Sequence, residues 1–170
     1  AEAVERMLPS LADLHPMQRL PLAALAFPAL RRRPRPELER LLATLDKLIR
    51  ADSHVDLHEY CLVRLLHLQL IDLLDPSVGF TPGRHRLRQR RDSFATLCAI
   101  VAASGDEDMR VAERAYRLAM QRTLPSHDVA FAVDNDWQAA LDQALSDLDS
   151  LRAPDKQLVV DGLAIAISAD

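Results

Sequence analysis

Residues 45–74 read LDKLIRADSHVDLHEYCLVRLLHLQLIDLL, and this stretch decides the fold. It contains the end of one helix, a short acidic turn and most of a second helix. Across residues 56–74 apolar side chains lie on nearly every side of the helix. A helix that is apolar almost all round is expected to be buried among other helices. The stretch therefore predicts a helical protein in which residues 56–74 form the central helix.

The composition narrows the fold class further. At 170 residues the chain is long enough for one domain with a sizeable core. Aromatic residues make up only 4%, so the core must be built from leucine, alanine, valine and isoleucine, as in a helical bundle. Only four glycines are present, and no stretch alternates convincingly between apolar and polar residues. We predict an all-α fold, a single bundle of seven to eight helices.

Apolar spacing, prolines and turn residues give the order of the helices. Residues 1–34 are expected to form a helical lead-in hairpin, and residues 35–170 a helical domain packed with it as one unit. Either Asp134 or Asn135 is expected to cap the amphipathic helix that carries Trp137. The first five predicted helices cover residues 2–14, 17–31, 36–51, 56–74 and 84–103. A sixth begins at residue 106 and ends before an irregular segment, residues 124–133. A seventh covers about residues 135–151, and the last begins at residue 154.

The longest apolar run does not predict a membrane span. Residues 20–30 form an uninterrupted apolar run, but it is shorter than the roughly 20 residues that a spanning helix needs, and it contains two prolines. No signal peptide is recognisable. The sequence begins without methionine, and we expect a soluble fragment of a longer protein. Cys61 and Cys98 lie on apolar helix faces and are interpreted as small buried side chains, as in a reducing compartment.

The acidic turn carries the candidate metal ligands Asp52, Asp56 and Glu59. The simpler interpretation is a capping box, in which Asp56 caps the following helix and Glu59 returns a hydrogen bond. Asp52 sits at the C-terminal end of a helix, where the helix dipole disfavours an anion. A divalent ion shared by the three acids would remove that penalty, and so would the N-terminus of the next helix. His54 and His58 are further candidate ligands, although solvent-facing positions explain both.

A basic run lies at the middle of the chain and suggests a partner. It consists of Arg84, Arg86, Arg88, Arg90 and Arg91. Residues 125–170, in contrast, contain nine aspartates and only two basic residues. Two interpretations stay open: a solvated face paired with these acidic helices, or a contact with the headgroups of an anionic membrane surface. Nucleic acid is not expected, because aromatic stacking residues are not interleaved with the arginines.

The turn resembles a known family. The residues Ala51-Asp52-Ser53-His54-Val55-Asp56-Leu57-His58-Glu59 are similar to the signature of TerB-like (tellurite-resistance) helical domains, in which an apolar helix ends in Ala-Asp-Gly and Glu opens the next helix. Asp52, Asp56 and Glu59 match this signature, whereas Ser53 stands in place of the glycine. The resemblance implies a TerB-like helical bundle.

A longer run resembles the C-terminal region of bacterial HtpX-type membrane zinc metallopeptidases. It comprises residues 20–31 (LPLAALAFPALR) and 45–66, and the resemblance covers about residues 1–75. It implies a non-catalytic accessory domain, regulatory or substrate-binding, on the cytoplasmic side of the bacterial inner membrane. Its partners would be the protease domain of the same parent chain, which would hold the zinc, and a protein partner or substrate. The alternative is a free-standing TerB-like protein of stress response or metal sensing.

The protease motif itself is incomplete in this chain. His58-Glu59-Tyr60-Cys61-Leu62 begins like H-E-x-x-H, but leucine occupies the position of the second zinc histidine. One imidazole does not make the two-histidine zinc face. We therefore expect no enzymatic activity and no cofactor in this chain. An independent hydrolase using His58 and Glu59 would need a partner group that the sequence does not reveal.

Overall fold

The structure, a computed structural model, describes residues 5, 6, 9, 14–51, 56–75 and 83–168. In these ranges we find seven α-helices and a 3₁₀ helix, Leu87–Arg90, and no β-strand, so the predicted all-α fold class is confirmed. The α-helices are α1 Pro16–Leu30, α2 Arg35–Ala51, α3 Leu57–Leu74, α4 Arg91–Gly105, α5 Met109–Thr123, α6 Trp137–Asp149 and α7 Ala153–Ile167.

Aspartates begin three of the helices by accepting hydrogen bonds from otherwise unpaired N–H groups. Asp56 caps α3, Asp108 caps α5 and Asp136 caps α6. The prediction of Asp134 or Asn135 as the cap of α6 is therefore wrong by one or two positions. Asp134 instead accepts a hydrogen bond from the N–H of Asp136 at 2.9 Å, which makes a turn just before the helix.

Contacts divide the chain into two compact units, residues 1–79 and residues 80–170. In the first unit α1 and α2 both pack on α3. Its core is formed by Leu38, Leu45 and Leu70, against which half-buried leucines and a valine pack: Leu30, Leu41, Leu42, Val63, Leu66, Leu73 and Leu74. That a lead-in hairpin of residues 1–34 packs with residues 35–170 as one unit stays a prediction.

The second unit is built around α4. Helices α5, α6 and α7 all pack on it, and α5 also packs on α7. Seven of its residues are buried: Phe94, Ala95, Leu97, Cys98, Ala99, Ile100 and Ala102. In α3, by comparison, Tyr60 and Leu70 are the buried side chains, and Leu65 and Leu68 are exposed. The helix most enclosed by others in the described part is thus α4, and not the leucine-rich segment 56–74.

Helix α7 approaches α4 closely at Gly162. A Cβ atom on Gly162 would lie 2.6 Å from Phe94 Cζ and 2.6 Å from Thr123 Oγ1. Only glycine leaves room for this approach, because real Cβ contacts are longer. None of the described helices has both the length and the apolarity needed to cross a bilayer.

Candidate functional site

The acidic turn is held by a cap at the start of α3. Asp56 has extended backbone angles, and its Oδ1 accepts a hydrogen bond from the N–H of Glu59 at 2.8 Å. This confirms the predicted N-cap. The Glu59 carboxylate is bound elsewhere: Arg19 of α1 donates a hydrogen bond from Nη1 to its Oε1 at 3.3 Å. Glu59, the third acid of the turn, therefore forms an ion pair between α1 and α3.

The metal hypothesis stays a prediction. Asp52 and His54 lie outside the described residues, so the structure does not place them beside Asp56 and Glu59. Among the residues that are described, no group of three or more histidine, cysteine, aspartate or glutamate side chains could hold an ion. Arg19 adds a positive charge 3.3 Å from Glu59, and this charge opposes a cation at the same oxygen.

The residues around His58 do not fit a catalytic zinc. His58 is exposed at the first turn of α3, and Leu62, one helical turn on, is half-buried. A zinc ion of the H-E-x-x-H type needs a second imidazole at that position, and a leucine side chain offers no ligand atom. His58 therefore lacks the second histidine of a zinc site on this helix.

The basic run surrounds the 3₁₀ helix and the start of α4. Arg90 lies 3.7 Å from Asp147 of α6 and donates a hydrogen bond to Ser150 Oγ at 3.4 Å. Arg91 pairs with its neighbour Asp92 at 3.4 Å on the surface. For Arg90 the structure thus shows pairing with the acidic C-terminal helices, one of the two interpretations of the run. A contact between Arg84, Arg86 and Arg88 and anionic lipid stays a prediction.

A buried carboxylate, which sequence reasoning missed, joins the basic run to α7. Asp155 is only 6% exposed. Its Oδ1 accepts a hydrogen bond from the N–H of Leu87 at 2.8 Å, and its Oδ2 accepts one from Arg152 Nε at 2.9 Å. The only local signal is that Asp155 lies in the first turn of a helix that begins with proline. Acidic residues are common at exposed helix starts, so this position does not indicate a buried carboxylate.

Hydrogen bonding outweighs burial in setting the ionisation of Asp155. Burial by itself raises the pKa of this carboxyl. The hydrogen bonds from Leu87 and Arg152, together with the charges of Arg152 and Arg86, act in the opposite direction and hold the pKa below its ordinary value. Asp155 is therefore ionised at neutral pH and fixes the start of α7 against the 3₁₀ helix.

A cleft of about 770 Å³ lies between α5 and residues 124–131. The hydroxyl of Tyr116 donates a hydrogen bond to the carbonyl oxygen of Val129 at 2.8 Å, and its ring lies 5.3 Å from that of Phe131. Burial, with smaller contributions from Cys98 and nearby aspartates, raises the pKa of Tyr116 to about 12. The hydroxyl thus stays a proton donor that anchors the segment. It is not placed to act as a base at neutral pH.

Comparisons with known protein families, with curated proteins and with solved structures give no match.

Proposed function

We propose that the chain is a non-catalytic accessory domain of a membrane-bound zinc-dependent metallopeptidase, where it binds a substrate or regulates the protease domain. The proposal rests on the resemblance of residues 20–31 and 45–66 to the C-terminal region of HtpX-type metallopeptidases. The observation that carries it is that these two separate stretches belong to one compact unit. Helix α1, which contains most of the first stretch, packs on α3, which contains residues 57–66 of the second, and α2, which contains residues 45–51, packs on α3 as well.

The extent of that unit supports the proposal. The resemblance covers about residues 1–75, and the first unit comprises residues 1–79. A stretch that resembles part of a larger protein and also forms a compact unit has the properties expected of a domain. The zinc chemistry belongs, in this proposal, to the protease domain of the parent chain, because Leu62 replaces the second histidine of the motif here.

The parent reading frame is the first test. We expect it to encode an H-E-x-x-H helix and apolar spans of about 20 residues. A short, self-contained frame without either would contradict the proposal and would favour a free-standing TerB-like protein of stress response or metal sensing.

The second test is proteolysis by the parent enzyme with and without this domain. We expect the truncated enzyme to cleave a short unstructured peptide at a kcat/KM within about threefold of the full enzyme, because the zinc site is elsewhere. Cleavage of a folded or membrane-bound protein substrate should fall by about tenfold or more, the effect of losing roughly 1.4 kcal/mol of binding. Equal loss on both substrates would indicate a structural requirement and would contradict an accessory role.

A further inference from the structure

The outer face of α1 is apolar although it is exposed. Over residues 20–30, LPLAALAFPAL, the helix has no polar or charged side chain. The residues that face its own unit are the half-buried Arg19, Ala23, Phe27 and Leu30, which recur every three or four positions. The remaining positions of the run are exposed: Leu20, Pro21, Leu22, Ala24, Leu25, Ala26, Pro28 and Ala29.

The geometry of the helix places Leu25 at the centre of this outer face. Successive side chains are rotated by about 100°, so Leu25 points nearly opposite the stripe formed by Ala23, Phe27 and Leu30. Its exposed fraction, 77%, is the highest among the exposed large apolar residues of the described part, and Leu20 and Leu22 are 47% and 42% exposed. Leu22 lies about 60° from Leu25 around the helix axis, so these two leucines form an exposed apolar patch of the kind that marks an interaction site. Leu20 lies about 140° from Leu25 and is not part of this patch.

Positive charge lies directly beyond the C-terminal end of α1. Residues 31–40 contain five arginines and two glutamates. The glutamates are matched, since Glu37 lies 3.7 Å from Arg33 and Glu39 lies 2.9 Å from Arg35. Arg31 and Arg32 are exposed, and the ion pairs of this segment between described residues involve Arg33 and Arg35 and neither of these two. An apolar face thus ends in two arginines that have no ion pair with the acidic side chains of the described residues.

We propose that α1 binds the surface of an anionic lipid bilayer, with Leu25 and its neighbours inserted among the acyl chains and Arg31 and Arg32 paired with headgroup phosphates. Apolar side chains beside arginines are what an interfacial helix requires. At 15 residues α1 is about 22 Å long, less than the hydrocarbon thickness of about 30 Å, so it lies along the surface. The inference needs only this chain and lipid, and it does not depend on the proposed protease.

The basic run of the second unit lacks the apolar part of such a site. Its central apolar residue, Leu87, is 2% exposed, so no apolar side chain there is free to enter a bilayer. Arg90 and Arg91 are paired with aspartates. Charge complementarity together with exposed apolar area favours α1 as the lipid contact.

Vesicle binding of the 170-residue chain tests the proposal. We expect the protein to sediment with vesicles of equal parts phosphatidylglycerol and phosphatidylcholine, and much less with vesicles of phosphatidylcholine alone. Binding should weaken as salt is raised, because charges more than about 10 Å apart are screened at 0.1 M. A native chain that does not bind the anionic vesicles overturns the proposal.

Substitutions in α1 identify the surface that binds. Leu25→Glu should weaken binding about tenfold or more, because it removes apolar insertion and adds a charge that the lipid repels. Arg31→Gln with Arg32→Gln should weaken it by about fivefold for each arginine removed. The matched controls are the exposed Val160→Glu in α7 and the exposed pair Arg110→Gln with Arg114→Gln in α5, which should bind like the native chain.

Two results would assign the surface differently. If Arg84→Gln with Arg88→Gln weakens binding while the α1 variants do not, lipid contacts the basic run and the proposal is overturned. If the native chain is dimeric in solution and Leu25→Glu makes it monomeric without altering vesicle binding, a second copy covers α1 and the proposal is likewise overturned. Because Leu25 is exposed, the Leu25→Glu variant should melt like the native chain, which circular dichroism will verify.

Depth of insertion provides an independent readout. A Leu25→Trp variant should gain a blue-shifted fluorescence component when anionic vesicles are added, because the indole leaves water. Val160→Trp, at 57% exposure in the native chain, should show no such change. An unchanged Leu25→Trp spectrum would mean that α1 does not enter the bilayer, which contradicts the proposal.

Discussion

At the residue scale, the carboxylate of Asp155 holds two segments that are 68 positions apart along the chain. It accepts hydrogen bonds from the N–H of Leu87 and from Arg152, and both bonds would be weakened if the charge were removed, because hydrogen bonds to an ionised acceptor are stronger than those to a neutral one. Hydrogen bonds to a charged group contribute about 1.5–3 kcal/mol. We expect Asp155→Asn to lower the free energy of unfolding of the second unit by about 2 kcal/mol at neutral pH, measured by urea unfolding.

The pH dependence of that loss distinguishes charge from packing. The pKa of Asp155 is lower in the folded chain than in the unfolded one, so its contribution is fully present above the unfolded value of about 3.9. It is lost as the pH falls through the lower, folded value. The difference between Asp155→Asn and the native chain should therefore close on acidification. The exposed Asp161→Asn, a matched control, should change stability by no more than about 0.5 kcal/mol at any pH.

The acidic turn gives a second prediction at this scale. Asp56→Ala should cost about 0.5–2 kcal/mol, because Asp56 caps α3 through the N–H of Glu59. We expect no change in melting temperature on adding Mg²⁺, Ca²⁺, Zn²⁺ or a chelator, since a ligand stabilises only the fold that binds it. A metal-dependent rise that Asp52→Asn abolishes would show that the three acids share an ion.

These two aspartates show how far sequence can predict individual residues. The Asp56 cap was predictable because its partner is three positions away and the spacing itself implies the bond. Asp155 was not, because its partner Leu87 is brought to it only by the packing of α7 against the 3₁₀ helix. Glu59 shows the intermediate case: the sequence placed it in the turn, but not beside Arg19 of α1.

At the element scale, the sequence predicted the helices well and their burial poorly. The structure confirms helices near the predicted ranges 36–51 and 56–74, because caps, prolines and apolar spacing are local signals. Burial depends on neighbours. In α4 small residues such as Ala95, Cys98 and Ala102 allow other helices to approach closely, whereas leucine-rich α3 leaves Leu65 and Leu68 exposed. Apolar composition alone did not distinguish these two helices.

The close approach of α7 to α4 leads to a prediction about Gly162. Gly162→Ala would place a Cβ atom 2.6 Å from Phe94 Cζ, and either the ring or the helix must move. Overpacking of this kind costs about 1–3 kcal/mol, which exceeds the gain of up to about 1 kcal/mol in helix propensity. We expect a net loss of unfolding free energy in urea or thermal melts.

Gly105 provides the matched control for Gly162. A Cβ atom there would meet nothing within 4 Å, and its φ angle is not positive. Gly105→Ala should therefore be neutral or should stabilise by about 0.4–1 kcal/mol. Equal effects of the two substitutions would mean that the α4–α7 packing is looser than the structure indicates.

At the scale of the whole molecule, the two units differ in the size of their cores. Of the buried apolar residues in the described part of the chain, four belong to the first unit and twenty to the second. The sequence did not reveal this division, because both halves are rich in leucine and alanine and both predict helices. What separates them is which contacts form, and contacts between distant residues leave no local signal.

The difference in core size predicts separate stabilities. Residues 80–170 expressed alone should fold with a cooperative thermal transition, because this unit encloses α4 on several sides and ties the start of α7 to the 3₁₀ helix through Asp155. Residues 1–79 alone should be marginal, since only four apolar side chains are buried among the described residues of this unit, and a small core gains little on folding. In the complete chain, hydrogen exchange should be slowest at the amides of α4 and fastest, among the helices, at those of α1. Unfolded 80–170 beside a folded complete chain would contradict the division into units. Uniform exchange protection across α1 and α4 would show that the chain unfolds as a single cooperative body.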